Sequence, residues 1–404
     1  MLDVSLCFEL HQPFRIDKKL VHKRIPRTVK VEDLFDLYFD DESNRSIFKK
    51  ISEKCYYPTT EIILNEIERH KKDKKRFKVA FSVSGIFIEQ CERYDPGLLD
   101  LFCQLRETGC VEFLCQTYYH SLSSLYEEKD EFIEQVKLHD QAINDVFGYK
   151  PKFFENTELL YNNELAGIIE KLGYKGMFTE GVEKILGWRS PNFVYRPRDQ
   201  RIKILLRNYH LTDDVGFRFS SKWWEEYPLT ADKYAAWLAA TTPGQCINLF
   251  MDYETFGEHH WSDTGIHNFL SFLPREVFKY KNLRFSTPSE IIKKFDSVGE
   301  LDVGVFDTIS WADLERDTSC WLGNDMQRVC FNLIKNFGKY IRGSENKELL
   351  RIWRYLQTSD HLYYIFTAGG GPGEVHSYFS PYRTPIEAFV SLYSILTDFE
   401  SRLY

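Results

Sequence analysis

The chain has little that would tie it to nucleic acid, a membrane or an oxidising compartment. Its 404 residues carry 52 Lys and Arg against 60 Asp and Glu, a net charge of −8, which offers no basic surface to a phosphate backbone. The dense basic run His70–Arg76 reads as a solvated helix end. No stretch approaches the ~18 uninterrupted apolar residues of a membrane span. The start Met1-Leu2-Asp3-Val4-Ser5 lacks the basic region of a signal peptide. Nine cysteines, an odd number without CxxC pairs, fit buried reduced thiols in a cytoplasmic protein. There is no internal repeat. Gly369-Gly370-Gly371-Pro372-Gly373 lacks the Lys-Ser/Thr finish of a phosphate loop and reads as a flexible turn.

What is present is a repeated alternation. Apolar runs over Val4–Leu10, Phe77–Val83, Val111–Cys115, Pro151–Phe154, Gly176–Thr179, Leu211–Phe219 and Cys246–Met251 read as strands, with a short eighth at Arg284–Phe285. Amphipathic helices fall between them, among them Thr60–Arg69, Leu98–Glu107, Lys129–Phe147 and Leu160–Leu172. Strand and helix in turn imply a parallel sheet with right-handed crossovers, which at this number of units closes into a barrel. From Val298 strand signals thin and three helices are expected over Asp325–Arg342, Asn346–Gln357 and Pro385–Arg402. The expected organisation is therefore a catalytic barrel over 1–297 and a helical subdomain over 298–404.

The densest chemistry lies just beyond the Cys246–Met251 strand, where Asp252, Glu254, Glu258, His259, His260 and Trp261 follow one another closely. Polar residues also close the other strands: His11, Ser84, His120, Glu158, Glu180 and Asp213. In a parallel barrel all such ends share one face, and that is where active sites form. Glu158 and Asp252 come from different strands, and paired carboxylates are what glycoside hydrolysis requires. One attacks the anomeric carbon while the other gives and later takes a proton; in a retaining site they stand about 5–5.5 Å apart. The acid needs a raised pKa, which a neighbouring charge such as Glu254 would supply. Trp261, Tyr118, Tyr119, Trp223 and Trp224 are candidates for stacking on sugars, with core packing the alternative for each. Two rival classes stay open: a metal-dependent polysaccharide deacetylase using His259 or His260 with Asp252, Glu254 and Glu258, and a carbohydrate-binding module without catalysis. The chain has no HExxH, and adjacent histidines on an extended segment point opposite ways, so at most one enters the cleft.

Four segments resemble the motifs of glycoside hydrolase family 57, in particular its α-amylase-like branch. Phe8-Glu9-Leu10-His11-Gln12-Pro13 resembles the first, and Gly109-Cys110-Val111-Glu112-Phe113 with Tyr119-His120 the second. Phe154-Glu155-Asn156-Thr157-Glu158 resembles the third and Met251-Asp252-Tyr253-Glu254 the fourth; a fifth falls on Thr358–Tyr364. The resemblance implies an incomplete TIM-like (β/α)7 barrel followed by a C-terminal helical bundle. It implies retaining cleavage or transfer of α-glucosidic bonds without a catalytic metal or cofactor. It also implies Glu158 as nucleophile and Asp252 as general acid/base, with His11, Glu112, His120, Glu254, Trp261 and Asp360 holding substrate. α-Amylase, 4-α-glucanotransferase and branching enzyme all fit it. One departure stands out: Glu9 occupies a position where many relatives carry histidine.

Overall fold

The computed structural model describes residues 1–22, 25–368 and 380–403; the Gly369–Gly373 turn expected from the sequence lies outside them. Seven parallel strands form the sheet: β1 (Leu2–Leu10), β2 (Val79–Val83), β3 (Val111–Leu114), β4 (Phe153–Phe154), β5 (Gly176–Glu180), β6 (Lys203–Arg207) and β7 (Cys246–Asp252). They run in the order β3-β2-β1-β7-β6-β5-β4. A single parallel bridge between Cys115 and Phe154 brings the two edges together. The result is a nearly closed barrel, as the alternation implies, of seven strands, as the family resemblance implies. The eighth strand, β8 (Leu283–Phe285), pairs only with the first residues of β1.

Strand periodicity decides what fills the barrel. Along β1 the even residues Val4, Leu6, Phe8 and Leu10 join the large apolar cluster under the helices, while Cys7 joins the interior cluster with Ala80, Leu114, Phe178 and Phe250. The odd residues Asp3, Ser5, Cys7 and Glu9 therefore climb the interior from one end to the other. Register places Glu9 opposite both Ser82 of β2 and Asp252 of β7, so three polar residues share the top row. Glu112 of β3 sits a row lower, beside Ala80 and, across it, Cys7.

One strand differs from the sequence reading. Residues 211–219 are not a strand; Tyr209–Gly216 is a helix capped by Asn208, whose side chain accepts from Leu211 N. The strand at this place in the barrel is β6, whose Ile204, Leu205 and Leu206 are all buried. Leu211, Val215 and Phe219 recur every four residues, a helical spacing that the apolar run concealed. The C-terminal helices lie at Asp325–Ile341, Lys347–Tyr355, Ser359–Tyr363 and Pro385–Glu400, within one or two residues of expectation where one had been set. Among the described residues no helix is long and apolar enough to cross a membrane.

Candidate active site

The carboxyl ends of the strands open on one cleft, lined by Glu9, His11, His120, Glu158, Arg207, Asp213, Asp252, Glu254, His259, Trp311, Arg316, Asp360 and Tyr364 among others. Of the polar strand ends named from the sequence, His11, His120, Glu158, Asp213 and Asp252 line it, and Ser84 and Glu180 contact residues that do. Ser84 hydrogen-bonds His11, and Glu180 pairs with the cleft residues Arg207 and Arg316 at 2.8 Å each. Asp213 reaches the cleft from a helix rather than from a strand end.

Glu158 follows β4 in a short turn and adopts φ +60°, with Leu159 at φ +53°. Left-handed backbone at a non-glycine residue costs about 1–3 kcal/mol and persists only where its surroundings hold it. Here the Trp311 N–H donates to the Glu158 carbonyl at 3.2 Å and Leu159 N–H to the Asn156 carbonyl at 2.7 Å. The side chain is equally fixed: Ser359 Oγ donates to Oε1 at 2.8 Å and Trp311 Nε1 to Oε2 at 2.7 Å. Its carboxylate is thereby aimed and left 16% exposed to the cleft.

Asp252 ends β7 one position beyond the buried run. Burial, and after it the negative charge of Glu158, push its carboxyl up to about 7. Burial is thus the main cause and Glu158 the first neighbouring charge, while the expected Glu254 is coupled to Asp252 through its own raised carboxyl. Glu254 is pushed up to about 8, by burial and then by Asp252, and accepts from Gln12 Nε2 at 3.1 Å and from the Tyr56 hydroxyl. The loop carrying it passes close against the Ser52–Tyr56 turn. A Cβ on Gly257, at φ +135°, would lie 2.2 Å from the Lys54 carbonyl oxygen, so only glycine fits.

His11 and His120 stack with ring centroids 3.9 Å apart. Two buried imidazoles at that separation do not both carry charge. For His11, burial and the neighbouring His120 bring the ring down to about 4. A neutral His11 then donates from Nε2 to Asp360 Oδ2 at 2.8 Å and accepts at Nδ1 from Ser84 Oγ at 2.9 Å. Burial opposes charge on His120 too, but its contact with Glu158 and the charges of Glu9, Glu158 and Asp360 outweigh it and lift the ring to about 9. Asp360 is held below the usual carboxylate range: His11 and His120 overcome the opposing effect of burial.

Of the eight residues expected to act, six line the cleft: His11, His120, Glu158, Asp252, Glu254 and Asp360. Glu112 does not. It is buried in a lower row and accepts from Ser289 N at 2.9 Å and from the Ser289 hydroxyl, tying the helix Pro288–Lys294 to β3. A strand's closing residues reach the cleft, and Glu112 is the second residue of its strand. Trp261 is also outside the lining; it stands 57% exposed, with Lys54 Nζ 5.2 Å from its ring centroid. Tyr118 donates to Glu89 at 2.8 Å, Trp223 is 97% exposed and Trp224 packs edge-on against Trp237. Of the paired histidines only His259 lines the cleft, since His260 is held by Ser220 and the Gly216 carbonyl. Among the described residues no three His, Cys, Asp or Glu side chains converge as a metal site. The sequence reading passed over Trp311, Arg207 and Arg316. Arg207 closes a strand placed elsewhere, whereas Trp311 and Arg316 lie in an irregular loop with no local pattern to single them out.

The sequence model for glycosyl hydrolase family 57 matches residues 5–304. A protein of Methanocaldococcus jannaschii named "Putative alpha-amylase" is 48% identical over 405 residues, covering 98% of this chain and 84% of that one. Two solved structures share the fold at low identity. The 4-alpha-glucanotransferase of Thermococcus litoralis has a TM-score of 0.67 at 16% identity, over 97% of this chain but 59% of its own length. A GH57 branching enzyme of Thermococcus kodakaraensis has a TM-score of 0.65 at 14% identity, over 99% of this chain and 90% of that one. With its nearly closed seven-stranded barrel, the chain belongs to glycosyl hydrolase family 57.

Proposed function

We propose that the protein is a retaining glycoside hydrolase acting on α-1,4-linked glucans by double displacement. One observation carries the reading: a single cleft holds one carboxyl poised to keep its proton near pH 7, Asp252, and another aimed by two donors, Glu158. In the first step Glu158 attacks the anomeric carbon, and the departing glycosidic oxygen takes the Asp252 proton. In the second, Asp252 accepts a proton from the incoming water and the ester to Glu158 is cleaved. The inequality of the two carboxyls is what this division of labour needs. His11, Glu254 and Asp360 are proposed to hold sugar hydroxyls, with Trp311 beside the nucleophile and Trp261 meeting longer chains at the rim. A cytoplasmic setting is proposed on the nine unpaired cysteines, eight of them buried.

The relative's name supports hydrolysis, and the fold shared with a glucanotransferase and a branching enzyme makes transfer the alternative. Chelator-treated protein incubated with maltoheptaose separates them. Shorter products with rising reducing ends are expected. Shorter and longer chains together, at constant reducing ends, would mean transfer. No change in chain length, with zinc-restored activity on acetylated sugars, would overturn the carboxylate reading.

A further inference from the structure

At the cleft floor a connected set of side chains runs from two buried acids, Glu9 and Glu155, to Glu158. Glu155 is 1% and Glu9 3% exposed. Ser82 Oγ donates to Glu155 Oε2 at 3.0 Å. The Gln116 amide donates from Nε2 to Ser82 Oγ and to Glu9 Oε1, both at 2.7 Å. Its oxygen faces His120 Nδ1 at 3.0 Å. With the NH2 committed to Glu9 and Ser82, Gln116 offers His120 only an acceptor, so Nδ1 bears a hydrogen. His120 Nε2 stands 3.6 Å from Glu158 Oε1, and Nδ1 stands 3.6 Å from Glu9 Oε1. The ring thus lies between two carboxyls of the cleft, Glu158 on one side and the buried Glu9 on the other.

We propose that Glu9 is a positioning residue that keeps His120 protonated on both nitrogens beside Glu158 through the whole catalytic cycle, with Glu9 and Glu155 sharing the single proton of the buried acid pair. This rests on the reading of Glu158 as nucleophile. Two carboxyls in a dry pocket do not both ionise; burial pushes Glu155 up to about 8 and Glu9 well above the usual range, where Glu155 adds to the effect. Glu9 Oε2 has no donor among the described residues, as expected where the neighbouring group is another carboxyl. The groups facing His120 are Glu9 of β1 and His11 just after it, Gln116 beyond β3, Glu155 and Glu158 after β4, and Asp360 from the C-terminal helices, with Asp252 also in the cleft.

The need for Glu9 arises midway through the reaction. Once Glu158 is esterified its charge is gone, and a buried imidazolium facing it loses one partner. Glu9, 3.6 Å from Nδ1, remains as a partner. In the second step the water oxygen bonds to the anomeric carbon and gives its proton to the Asp252 carboxylate. The bond to the Glu158 oxygen then breaks, and its electron pair returns to Glu158. An imidazolium already in place stabilises that departing carboxylate without reorganisation. Glu9 therefore acts on breakdown of the glycosyl-enzyme rather than on sugar binding.

The test is the titration of His120 by nitrogen NMR in the intact enzyme, in Glu9→Gln and in Glu155→Gln, with the lifetime of the glycosyl-enzyme measured alongside. In Glu9→Gln the second proton should leave His120 about 1–2 pH units earlier than in wild type, and the glycosyl-enzyme should persist about tenfold longer with KM little changed. In Glu155→Gln, where Glu9 no longer shares the pair's negative charge with a second carboxyl, the His120 proton should leave later. Opposite signs in two isosteric variants are not what a packing defect produces. An unchanged titration in Glu9→Gln, or equal falls in both, would overturn the proposal. If Glu9→Gln does not fold, a fall rather than a rise in Glu155→Gln overturns it. Wild-type inactivity on α-glucans would instead remove the nucleophile reading, which the NMR titration does not depend on.

Discussion

The two ends of β1 carry similar acids in opposite circumstances. At the start of the strand, Asp3 accepts from Arg284 Nε and Nη2 at 2.8 Å each, from Lys294 Nζ at 2.7 Å and from Ser286 Oγ at 3.2 Å. Six residues later, at the other end, Glu9 has one Gln116 contact, a second carboxyl for a neighbour and a raised pKa. Both are buried and both point into the barrel. The lower end satisfies its carboxylates completely, which locks strands and helices together. The upper end leaves them under-satisfied and crowded, which stores protons and charge where a substrate can use them. Carboxylate chemistry in this fold is set by height along the strand.

That contrast can be broken from either end. The largest effects should come from the top: Glu158→Gln is expected to abolish turnover, and Asp252→Asn to lower it about 10²–10⁴-fold on substrates that need a proton at the leaving oxygen. Both should keep the wild-type Tm. Full activity in either variant would refute the assignment. The pH profile sharpens the same point. Asp252 must carry its proton to act as an acid, so kcat/KM should fall as pH rises through about 7. A profile flat between pH 6 and 8 would count against it.

At the bottom, the effects should be on stability alone. Asp3→Ala strands Arg284 and Lys294, both about one-third exposed, so the cost should be about 2–3 kcal/mol, less than for a fully buried pair. Denaturant melting would read it, with kcat per folded molecule unchanged. Glu112→Ala should cost about 1–3 kcal/mol through the lost Ser289 bonds, and kcat/KM should stay within twofold. A selective rise in KM would return Glu112 to the substrate-binding set. The smallest effect is expected at the exposed rim, where Trp261→Ala should raise KM for maltoheptaose about threefold and leave kcat alone.

The same comparison explains what was legible in the sequence. Strand ends announce themselves, because an apolar run breaking into Glu158 or Asp252 is a local pattern, and parallel strands place all such ends on one face. The depth of a residue within its strand is less visible: the family resemblance implies a substrate-holding role for Glu112, which stands a row below the cleft lining. The helix Tyr209–Gly216 was mistaken for a strand because buried helices and strands are alike in hydrophobicity and differ only in period. Trp311 and Arg316 enter from an irregular loop, and no feature short of the folded chain shows that this loop crosses the nucleophile. The Glu9–Gln116–His120 connection was hidden as well, since it joins β1 to the segment after β3 and its geometry depends on register.

The central claim, that Glu158 is the nucleophile of a retaining reaction, is tested most directly by trapping the ester. The enzyme would be treated with a fluorinated glucosyl fluoride that glycosylates quickly and is released slowly, then digested and examined by mass spectrometry. The expected result is one added sugar, on the peptide containing Glu158, and none on the Glu158→Gln variant. A sugar attached to another residue, or turnover that never passes through an adduct, would contradict it.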